Sequence, residues 1–191
     1  VFRVDASVAV PGSKSYTNRA LLIASLAQGI STIHNPLFSD DTKYMIEGLQ
    51  ALGVVIERRG PDLIVHGTGG TFFPGDHSLS IGNAGTAMRF LTALCALVPG
   101  STVIDGSLRM RERPISDLLD GLSQAGVSSS SNGFPPVRVK GGRFTGGTIT
   151  LDASKSSQYL SALLMIAPYA REKVIITVSG QLVSRSYVDI T

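Results

Sequence analysis

The sequence predicts an α/β fold built from βαβαββ repeats. A short apolar strand, a turn of small residues and a strongly apolar helix recur three times, with a period of about 70 residues. Arg19, Arg89 and Gln158 occupy matching places in the three apolar helices. The length of 191 residues and a hydrophobic content of 43% are sufficient for one large core. These observations indicate related units packed into a single body.

The first repeat covers about residues 8–67. Its predicted elements are an apolar strand at 8–10, an interior helix at 20–27, a strand at 32–35, an amphipathic helix at 41–52, and strands at 54–59 and 63–66. Ser39 or Asp40 can cap the amphipathic helix, and Gly53 lies where the end of a helix favours glycine. These boundaries predict one βαβαββ unit.

The second repeat, about residues 79–141, follows the same plan. Its predicted elements are a strand at 79–81, an interior helix at 90–98, a strand at 102–105, an amphipathic helix at 115–125, and strands at 127–131 and 137–140. Pro114 suits an early position of the amphipathic helix, and Gly126 takes the place that Gly53 has in the first repeat.

The third repeat, about residues 148–191, is shorter. Its predicted elements are a strand at 149–151, an interior helix at 159–168, a strand at 173–179 and the first turn of a second helix. Two closing strands are missing from the pattern. We therefore expect two and a half units, with the third repeat incomplete.

The three apolar helices are hydrophobic on nearly every face, which is typical of interior or membrane-spanning helices. None reaches the roughly 20 residues that a bilayer needs, so we expect interior helices and no membrane segment. A net charge of +3 without a Lys/Arg run argues against a nucleic-acid partner. The lone Cys95 lies in an apolar helix and cannot form an intramolecular disulfide, which favours a cytoplasmic location.

Polar residues cluster where the interior helices begin. Lys14, Ser15 and Arg19 surround the first helix start, and Ser15 and Arg19 share one helical face because they are four residues apart. Hydroxyl, guanidinium and unpaired N–H groups at a helix start are typical of an anion site. Taken alone, the motif is equally compatible with an N-cap serine and a surface arginine.

The second helix start combines glycines with hydrogen-bonding side chains. Gly82 and Gly85 let the backbone approach a ligand, and Asn83 and Thr86 can donate hydrogen bonds, although a plain turn and cap explains the motif equally well. The following RMRERP segment alternates Arg109, Arg111 and Arg113, which would share one face if the segment were extended. Cations before a helix oppose its dipole unless an anion is bound, so this segment favours an anion site. Glu112 would point the other way and serve as an internal partner.

The third helix start carries several hydroxyls and one amide, from Ser154, Ser156, Ser157 and Gln158. This set suits a polyol phosphate, and redundant N-capping is the alternative. We expect structural or solvated roles for His34, His66 and His77, and capping roles for Asp40 and Asp41. The sequence predicts no metal site and no cofactor.

Five motifs in this order resemble the EPSP synthase (5-enolpyruvylshikimate-3-phosphate synthase) family: PGSKSYTNR, GNAGTAMRF, RMRERPI, SKSSQYL and SRSYVDIT. The resemblance covers essentially the whole chain, and enzymes of the family are about twice as long. It implies an inside-out α/β barrel of three βαβαββ units, with residues 11–191 forming a truncated N-terminal domain. Residues 1–10 would form a strand that belongs with the absent second domain.

The resemblance also implies an activity. Members transfer the enolpyruvyl group of phosphoenolpyruvate to the 5-hydroxyl of shikimate 3-phosphate and release phosphate, a step of aromatic amino acid biosynthesis that glyphosate inhibits. By motif match, the residues expected at shikimate 3-phosphate are Lys14, Ser15, Arg19, Ser156, Ser157, Gln158, Ser184 and Tyr187. Those expected at phosphoenolpyruvate are Lys14, Asn83, Gly85, Arg113 and Gln158, while Arg109 would support the loop.

The family's general-base aspartate, its Lys–Glu proton-transfer segment and its carboxylate-binding arginines lie in the second domain. We therefore expect this chain to supply anchors and to be inactive alone. Phe90 and Ser186 stand where the family commonly has proline, and the bulk of Phe90 would shift the phosphoenolpyruvate loop. The alternatives are a non-catalytic ligand-binding domain and a relative of UDP-N-acetylglucosamine enolpyruvyl transferase, although that group uses a loop cysteine and Cys95 lies in a helix.

Overall fold

The computed structural model describes residues 5–191 and leaves residues 1–4 aside. Its helices are α1 (Lys14–Leu26), α2 (Asp40–Ala51), α3 (Gly85–Leu94), α4 (Ser116–Gln124), α5 (Ser157–Ile166) and α6 (Arg185–Asp189). Its strands are β1 (Gln28–Ile33), β2 (Val55–Arg59), β3 (Asp62–Thr68), β4 (Gly75–Ser80), β5 (Gly100–Asp105), β6 (Ser128–Ser130), β7 (Val137–Gly141), β8 (Gly147–Asp152) and β9 (Val174–Ser179). Short 3₁₀ helices occupy Met110–Glu112 and Ala167–Tyr169.

Each repeat contributes one sheet, and the second repeat shows the whole pattern. Its strands lie in the order β4-β5-β7-β6, with β4 and β5 parallel and the remaining pairs antiparallel. The first repeat forms an antiparallel β1-β3-β2 sheet. The third forms a parallel β8-β9 pair. The first repeat therefore lacks the equivalent of β4, and the third lacks the equivalents of β6 and β7, within the described residues.

The three apolar helices form the centre of the molecule. All ten residues of α3 are buried, and α3 packs against both α1 and α5. The amphipathic helix α2 packs against α1 and α3, and α4 packs against α5 and β8. Interior helices inside, with sheets and amphipathic helices around them, confirm the predicted inside-out α/β architecture. The three sheets stay separate, so residues 5–191 contain no closed barrel of strands.

The predicted strand at residues 8–10 is wrong as a strand, because residues 5–13 have no regular structure. Val8 and Val10 are 82% and 78% exposed, so their apolar side chains are not packed against a sheet. A three-residue apolar run needs a neighbouring strand to bury it, and none is present among the described residues. Part of the expected 1–10 strand lies outside those residues, and its membership of a second domain stays a prediction.

The other predicted elements are present, with shifted ends. The interior helices begin earlier than their apolar runs, because their first turns are polar, and residues 95–98 form turns after α3. Ser39, rather than Asp40, caps α2 in a capping box with Thr42. Gly53 and Gly126 follow α2 and α4 with φ of 93° and 82°, which confirms the predicted helix-end glycines.

Candidate functional site

Two interior helices, α1 and α5, point their N-terminal ends into one cavity of about 320 Å³, here called the α1–α5 cavity. It is lined by Lys14, Ser15, Arg19, Thr86, Lys155, Ser156, Ser157, Gln158, Val183, Ser184 and Tyr187. All eight residues that the resemblance assigns to shikimate 3-phosphate are in this lining. It also contains three cationic side chains and no carboxylate, so an anionic ligand is the electrostatic match.

The start of α1 is built without a side-chain cap. Ser13 is the N-cap residue in an extended conformation, yet its hydroxyl accepts no hydrogen bond from the helix. Lys14 follows at the first helical position, and its Nζ lies 3.4 Å from Asp41 Oδ1 in the first turn of α2. A helix start without a side-chain cap retains N–H groups that a ligand anion can accept from.

Arg19 is buried, with only 4% of its surface exposed. Its Nε donates to Thr191 Oγ1 at 2.7 Å, and its Nη2 donates to Tyr187 O at 2.8 Å and to Ser161 Oγ at 3.0 Å. Burial lowers the pKa of Arg19, an effect that Tyr187 partly opposes. Arg19 thus fastens α1 to α6 and α5 while it contributes to the cavity wall.

The Arg19 guanidinium also lies over the ring of Phe90, 5.3 Å from its centroid. Phe90 is fully buried in α3. The phenylalanine that departs from the family pattern therefore contacts a predicted ligand anchor, and its ring adds a cation–π contact to the arginine's hydrogen bonds.

The start of α5 provides hydroxyl groups and a bridge to α3. Ser156 is the N-cap residue, and its Oγ accepts from Gln158 N at 3.2 Å. The Gln158 side chain donates through Nε2 to Thr86 Oγ1 at 3.4 Å. Ser157 is buried at the cavity wall. Because Thr86 directly follows Gly85, this bridge connects the α1–α5 cavity to the start of α3.

The start of α3 lies beside Arg113. Ala84 is its N-cap residue and cannot cap the helix with its side chain. A Cβ atom on Gly85 would lie 2.6 Å from Arg113 Nη1, so a side chain at this position would displace the guanidinium from the helix start. Gly85 and Arg113 are therefore brought together, outside the cavity lining. Asn83 is exposed and also lies outside that lining.

Arg89 bonds the start of α3 to the loop at residues 113–115, here called the Arg113 loop. Its Nη1 donates to Gly85 O at 3.1 Å, and its Nη2 donates to Pro114 O at 3.0 Å. Burial lowers the pKa of Arg89, and Tyr159 opposes that shift. Within residues 5–191, Arg19, Arg89 and Arg113 have no ion-pair partner. These three arginines thus retain positive charge that no carboxylate of the described residues neutralises.

The expectation of three arginines on one extended face is wrong, because Met110–Glu112 forms a 3₁₀ turn. Arg109 pairs with Glu112 at 2.6 Å, and Arg111 Nε donates to Asp105 Oδ1 at 3.0 Å. Glu112 is an internal partner as expected, but it pairs with Arg109 and does not point away from the arginines. Only Arg113 is left for the helix start, because the turn rotates the other two side chains toward carboxylates.

The remaining titratable candidates lie elsewhere. His34 Nδ1 is 2.9 Å from Asp62 Oδ2 at the surface, which agrees with the expected structural role. Asp41 pairs with Lys14 and does not cap α2 with its side chain.

In the described part of the chain, no group of three or more His, Cys, Asp or Glu residues is arranged to hold a metal ion. No described helix has the length and apolarity that a membrane span requires.

Two wall residues, Lys155 and Val183, are not among the residues that the motifs predict. Lys155 lies inside the SKSSQ motif, two residues before α5, and its Nζ is 3.0 Å from Asp117 Oδ1. That lysine was visible in the sequence as the cation nearest to the serines. Val183 carries no polar group, so no sequence signal pointed to it. Larger cavities lie along β6 and β7, but neither brings two helix starts together.

Comparison with known proteins gives a consistent result. A family model described as EPSP synthase (3-phosphoshikimate 1-carboxyvinyltransferase) matches residues 1–191. A 3-phosphoshikimate 1-carboxyvinyltransferase from Nostoc sp. is 49% identical over 98% of this chain and 45% of its own length. One from Salmonella arizonae is 48% identical over 100% of this chain and 46% of its own length. The chain therefore spans about half the length of the curated relatives it matches.

Solved structures agree. An EPSP synthase from Acinetobacter baumannii superposes with a TM-score of 0.80 at 25% identity, over 91% of this chain and 41% of that protein. The enolpyruvyl transferase NikO from Streptomyces tendae superposes with a TM-score of 0.69 at 19% identity, over 96% of this chain and 42% of that protein. The second likeness supports the fold alone.

Proposed function

Because this chain belongs to the EPSP synthase family, we propose that it forms the N-terminal half of an enolpyruvyl transferase site. The reaction transfers the enolpyruvyl group of phosphoenolpyruvate to the 5-hydroxyl of shikimate 3-phosphate and releases phosphate. The observation that carries the proposal is the α1–α5 cavity, whose lining combines three cations with no carboxylate. Lys14 and Lys155 also pair with carboxylates outside the lining, whereas Arg19 has no ion-pair partner in residues 5–191, so the cavity keeps positive charge that suits an anionic substrate.

Shikimate 3-phosphate is proposed to occupy the α1–α5 cavity. The ligand carries a phosphate, a carboxylate and hydroxyls, and the wall offers matching donors. Cations and hydroxyls suit its anionic groups, while Gln158, Ser184 and Tyr187 suit its ring hydroxyls. Helix starts add backbone N–H groups and positive dipole ends. These donors are held by the helices before any ligand arrives, which limits the entropic cost of binding.

Phosphoenolpyruvate is proposed to bind next to this cavity, at the start of α3. Arg113 rests on Gly85 there, beside the buried Arg89, and neither arginine has an ion-pair partner in residues 5–191. Lys14 and Gln158 lie in the adjoining wall and Asn83 at the turn before α3. The contact between Gln158 and Thr86 favours two neighbouring subsites, so the two substrates would be held side by side.

The contribution of this chain would be electrostatic and positional. Side-by-side binding brings the 5-hydroxyl close to the enolpyruvyl group, and fixed cations stabilise phosphate as it leaves. The base that takes the hydroxyl proton and the acid that protonates the methylene group would come from a C-terminal half. The proposed partners are therefore the two substrates and the C-terminal half, and neither nucleic acid nor a membrane is proposed as a partner. The proposed location is the cytoplasm, and no metal or cofactor is proposed.

A non-catalytic ligand-binding domain is the second candidate function, since the α1–α5 cavity would bind an anionic ligand whether or not a reaction follows. A transferase acting on UDP-N-acetylglucosamine has less support, because the matching relatives are named 3-phosphoshikimate 1-carboxyvinyltransferase. In addition, Cys95 is fully buried in the core and cannot contact a ligand.

Reconstitution tests the proposed function. Phosphate release from both substrates is measured with the purified chain, with the C-terminal half of the Nostoc relative, and with the two combined. We expect background rates from each half and turnover from the mixture, because general acid–base groups typically contribute 10²–10⁴-fold. An Arg113→Ala chain should reduce the restored rate. Robust turnover by the chain alone would contradict the assignment of the base to a C-terminal half. Substrate binding without turnover by an associated pair would favour the second candidate.

A further inference from the structure

The wall of the α1–α5 cavity contains a cation that the family motifs do not assign. Lys155 is two residues before α5 and lies beside Ser156 and Ser157. Its side chain is 56% exposed, so the ammonium group is accessible from solvent. The stretch that follows offers hydroxyls and the positive end of the α5 dipole, which together form the part of the wall best suited to a phosphate.

A single carboxylate holds Lys155. Its Nζ lies 3.0 Å from Asp117 Oδ1 in the first turn of α4, and this contact raises the pKa of Lys155. An ammonium group has three donors, and Asp117 Oδ1 takes one of them. Lys14, the other lysine of the wall, forms a longer ion pair, with its Nζ 3.4 Å from Asp41 Oδ1. Lys155 is therefore bonded at one donor, and its other donors are available to a ligand.

We propose that Lys155 is a direct contact for the phosphate group of the ligand bound in the α1–α5 cavity. Asp117 pairs with this lysine in the free protein and is not itself a ligand contact. The inference rests on the proposed function, since it names the residue that meets the phosphate of shikimate 3-phosphate. It adds a cation to Ser156 and Ser157, whose hydroxyls alone would leave the doubly charged phosphate unneutralised at that end of the cavity.

The test uses phosphorus NMR and calorimetric titrations of the 191-residue chain with shikimate 3-phosphate, shikimate and inorganic phosphate. Lys155→Met removes the charge, and Lys155→Arg retains it. Lys43→Met is the matched control, because Lys43 also pairs with an acidic residue, Glu47, but lies on α2 away from the cavity. Asp117→Asn breaks the same ion pair and leaves the cation in place. Circular dichroism establishes that each variant is folded.

We expect Lys155→Met to weaken shikimate 3-phosphate binding by about tenfold or more, as for loss of a charged hydrogen bond. Its effect on unphosphorylated shikimate should be much smaller. Lys155→Arg should restore most of the affinity, and Lys43→Met should bind as the parent does. Asp117→Asn should not weaken binding, because it removes a nearby negative charge. Unchanged affinity in Lys155→Met, or equal weakening by Asp117→Asn, would show that the pair is only structural.

The titrations with inorganic phosphate distinguish a failure of the Lys155 proposal from a failure of the proposed function. If the parent binds phosphate but discriminates against shikimate 3-phosphate, the proposed substrate is wrong. In that case, weaker phosphate binding by Lys155→Met would still support Lys155 as a phosphate contact. Unchanged phosphate binding by Lys155→Met would overturn it. If the parent binds neither ligand, both proposals are overturned.

Discussion

Arg89 and Tyr159 donate to the same acceptor, the carbonyl oxygen of Pro114. Arg89 Nη2 lies 3.0 Å and Tyr159 Oη 2.7 Å from that oxygen. The two residues come from different interior helices, α3 and α5, and Pro114 directly follows Arg113. The position of Arg113 is therefore set jointly by two helices of different repeats.

Removing one of these two donors should loosen the loop. Tyr159→Phe deletes a part-buried hydrogen bond while Arg89 still satisfies Pro114 O, so we expect a loss of about 0.5–1.5 kcal/mol in the free energy of unfolding. Urea denaturation measures this loss. Tyr16→Phe, at a position that is 60% exposed, is the control and should change little. An unchanged unfolding free energy in Tyr159→Phe would mean that the shared carbonyl does not fix the loop.

Arg19→Ala should affect both ligand binding and stability. Loss of a charged contact should weaken shikimate 3-phosphate binding by about 1.5–3 kcal/mol. The same change removes the bonds from Arg19 to Tyr187 and Thr191, so α6 should become less protected from hydrogen exchange. Ligand affinity from calorimetry and the exchange rates of α6 are measured for Arg19→Ala and for the control Arg59→Ala, which changes an exposed arginine on β2. Ligand affinity equal to that of the parent would count decisively against Arg19 as an anchor.

Cys95 should be inert in the folded chain. Burial raises the pKa of the thiol from 9.0 to about 12, so almost no thiolate forms at neutral pH. A thiol-reactive disulfide reagent should label it only after unfolding by urea. Because the folded pKa is raised, the neutral thiol favours the fold below pH 9, and this contribution is lost as the pH rises toward 12. Rapid labelling under native conditions would contradict the buried position.

Hydrogen exchange should separate the stable core from the C-terminal part. Protection should be high at residues 20–27 and 90–94 and low at residues 173–191, because β9 pairs only with β8 in the described chain. Ile23 and Leu164, on α1 and α5, are 48% and 37% exposed and line an apolar cavity of about 400 Å³. This uncovered surface should also favour association. Uniform protection to the C-terminus in a demonstrated monomer would mean that the third repeat is self-sufficient.

Much of the fold follows from local patterns. The apolar runs predict the interior helices, Gly53 and Gly126 predict the ends of α2 and α4, and Ser39 predicts the start of α2, because caps depend on nearby residues. Pro114, which the pattern predicts early in α4, lies just before its N-cap residue, Ile115. The strand at residues 8–10 failed because its burial depends on a neighbouring strand that no local pattern specifies. The RMRERP segment failed for a related reason. The 3₁₀ turn at Met110–Glu112 places Arg109 beside Glu112 and Arg111 beside Asp105, and Asp105 lies at the end of β5, outside the segment.

The candidate site was predictable in its parts and unpredictable in its connections. The motifs pointed to each helix start, since hydroxyls and cations stand next to small-residue turns. The contacts that connect these parts join distant residues. Arg19 bonds to Tyr187 in α6, and Lys155 pairs with Asp117, 38 positions away. The Pro114 carbonyl joins Arg89 and Tyr159, which belong to different repeats. Such contacts depend on how the helices pack, and a single sequence does not encode them in any local spacing.

Binding of shikimate 3-phosphate to the α1–α5 cavity is the central claim, and calorimetric titration of the 191-residue chain tests it most directly. The parent chain is compared with a Ser156→Ala/Ser157→Ala double variant and with a Ser128→Ala control on β6. We expect weak but saturable 1:1 binding by the parent and the control. The double variant should bind at least about tenfold more weakly, since it loses hydrogen bonds to a charged phosphate. Equal affinity of all three proteins, or no binding by the parent, would contradict the placement of this ligand in the cavity.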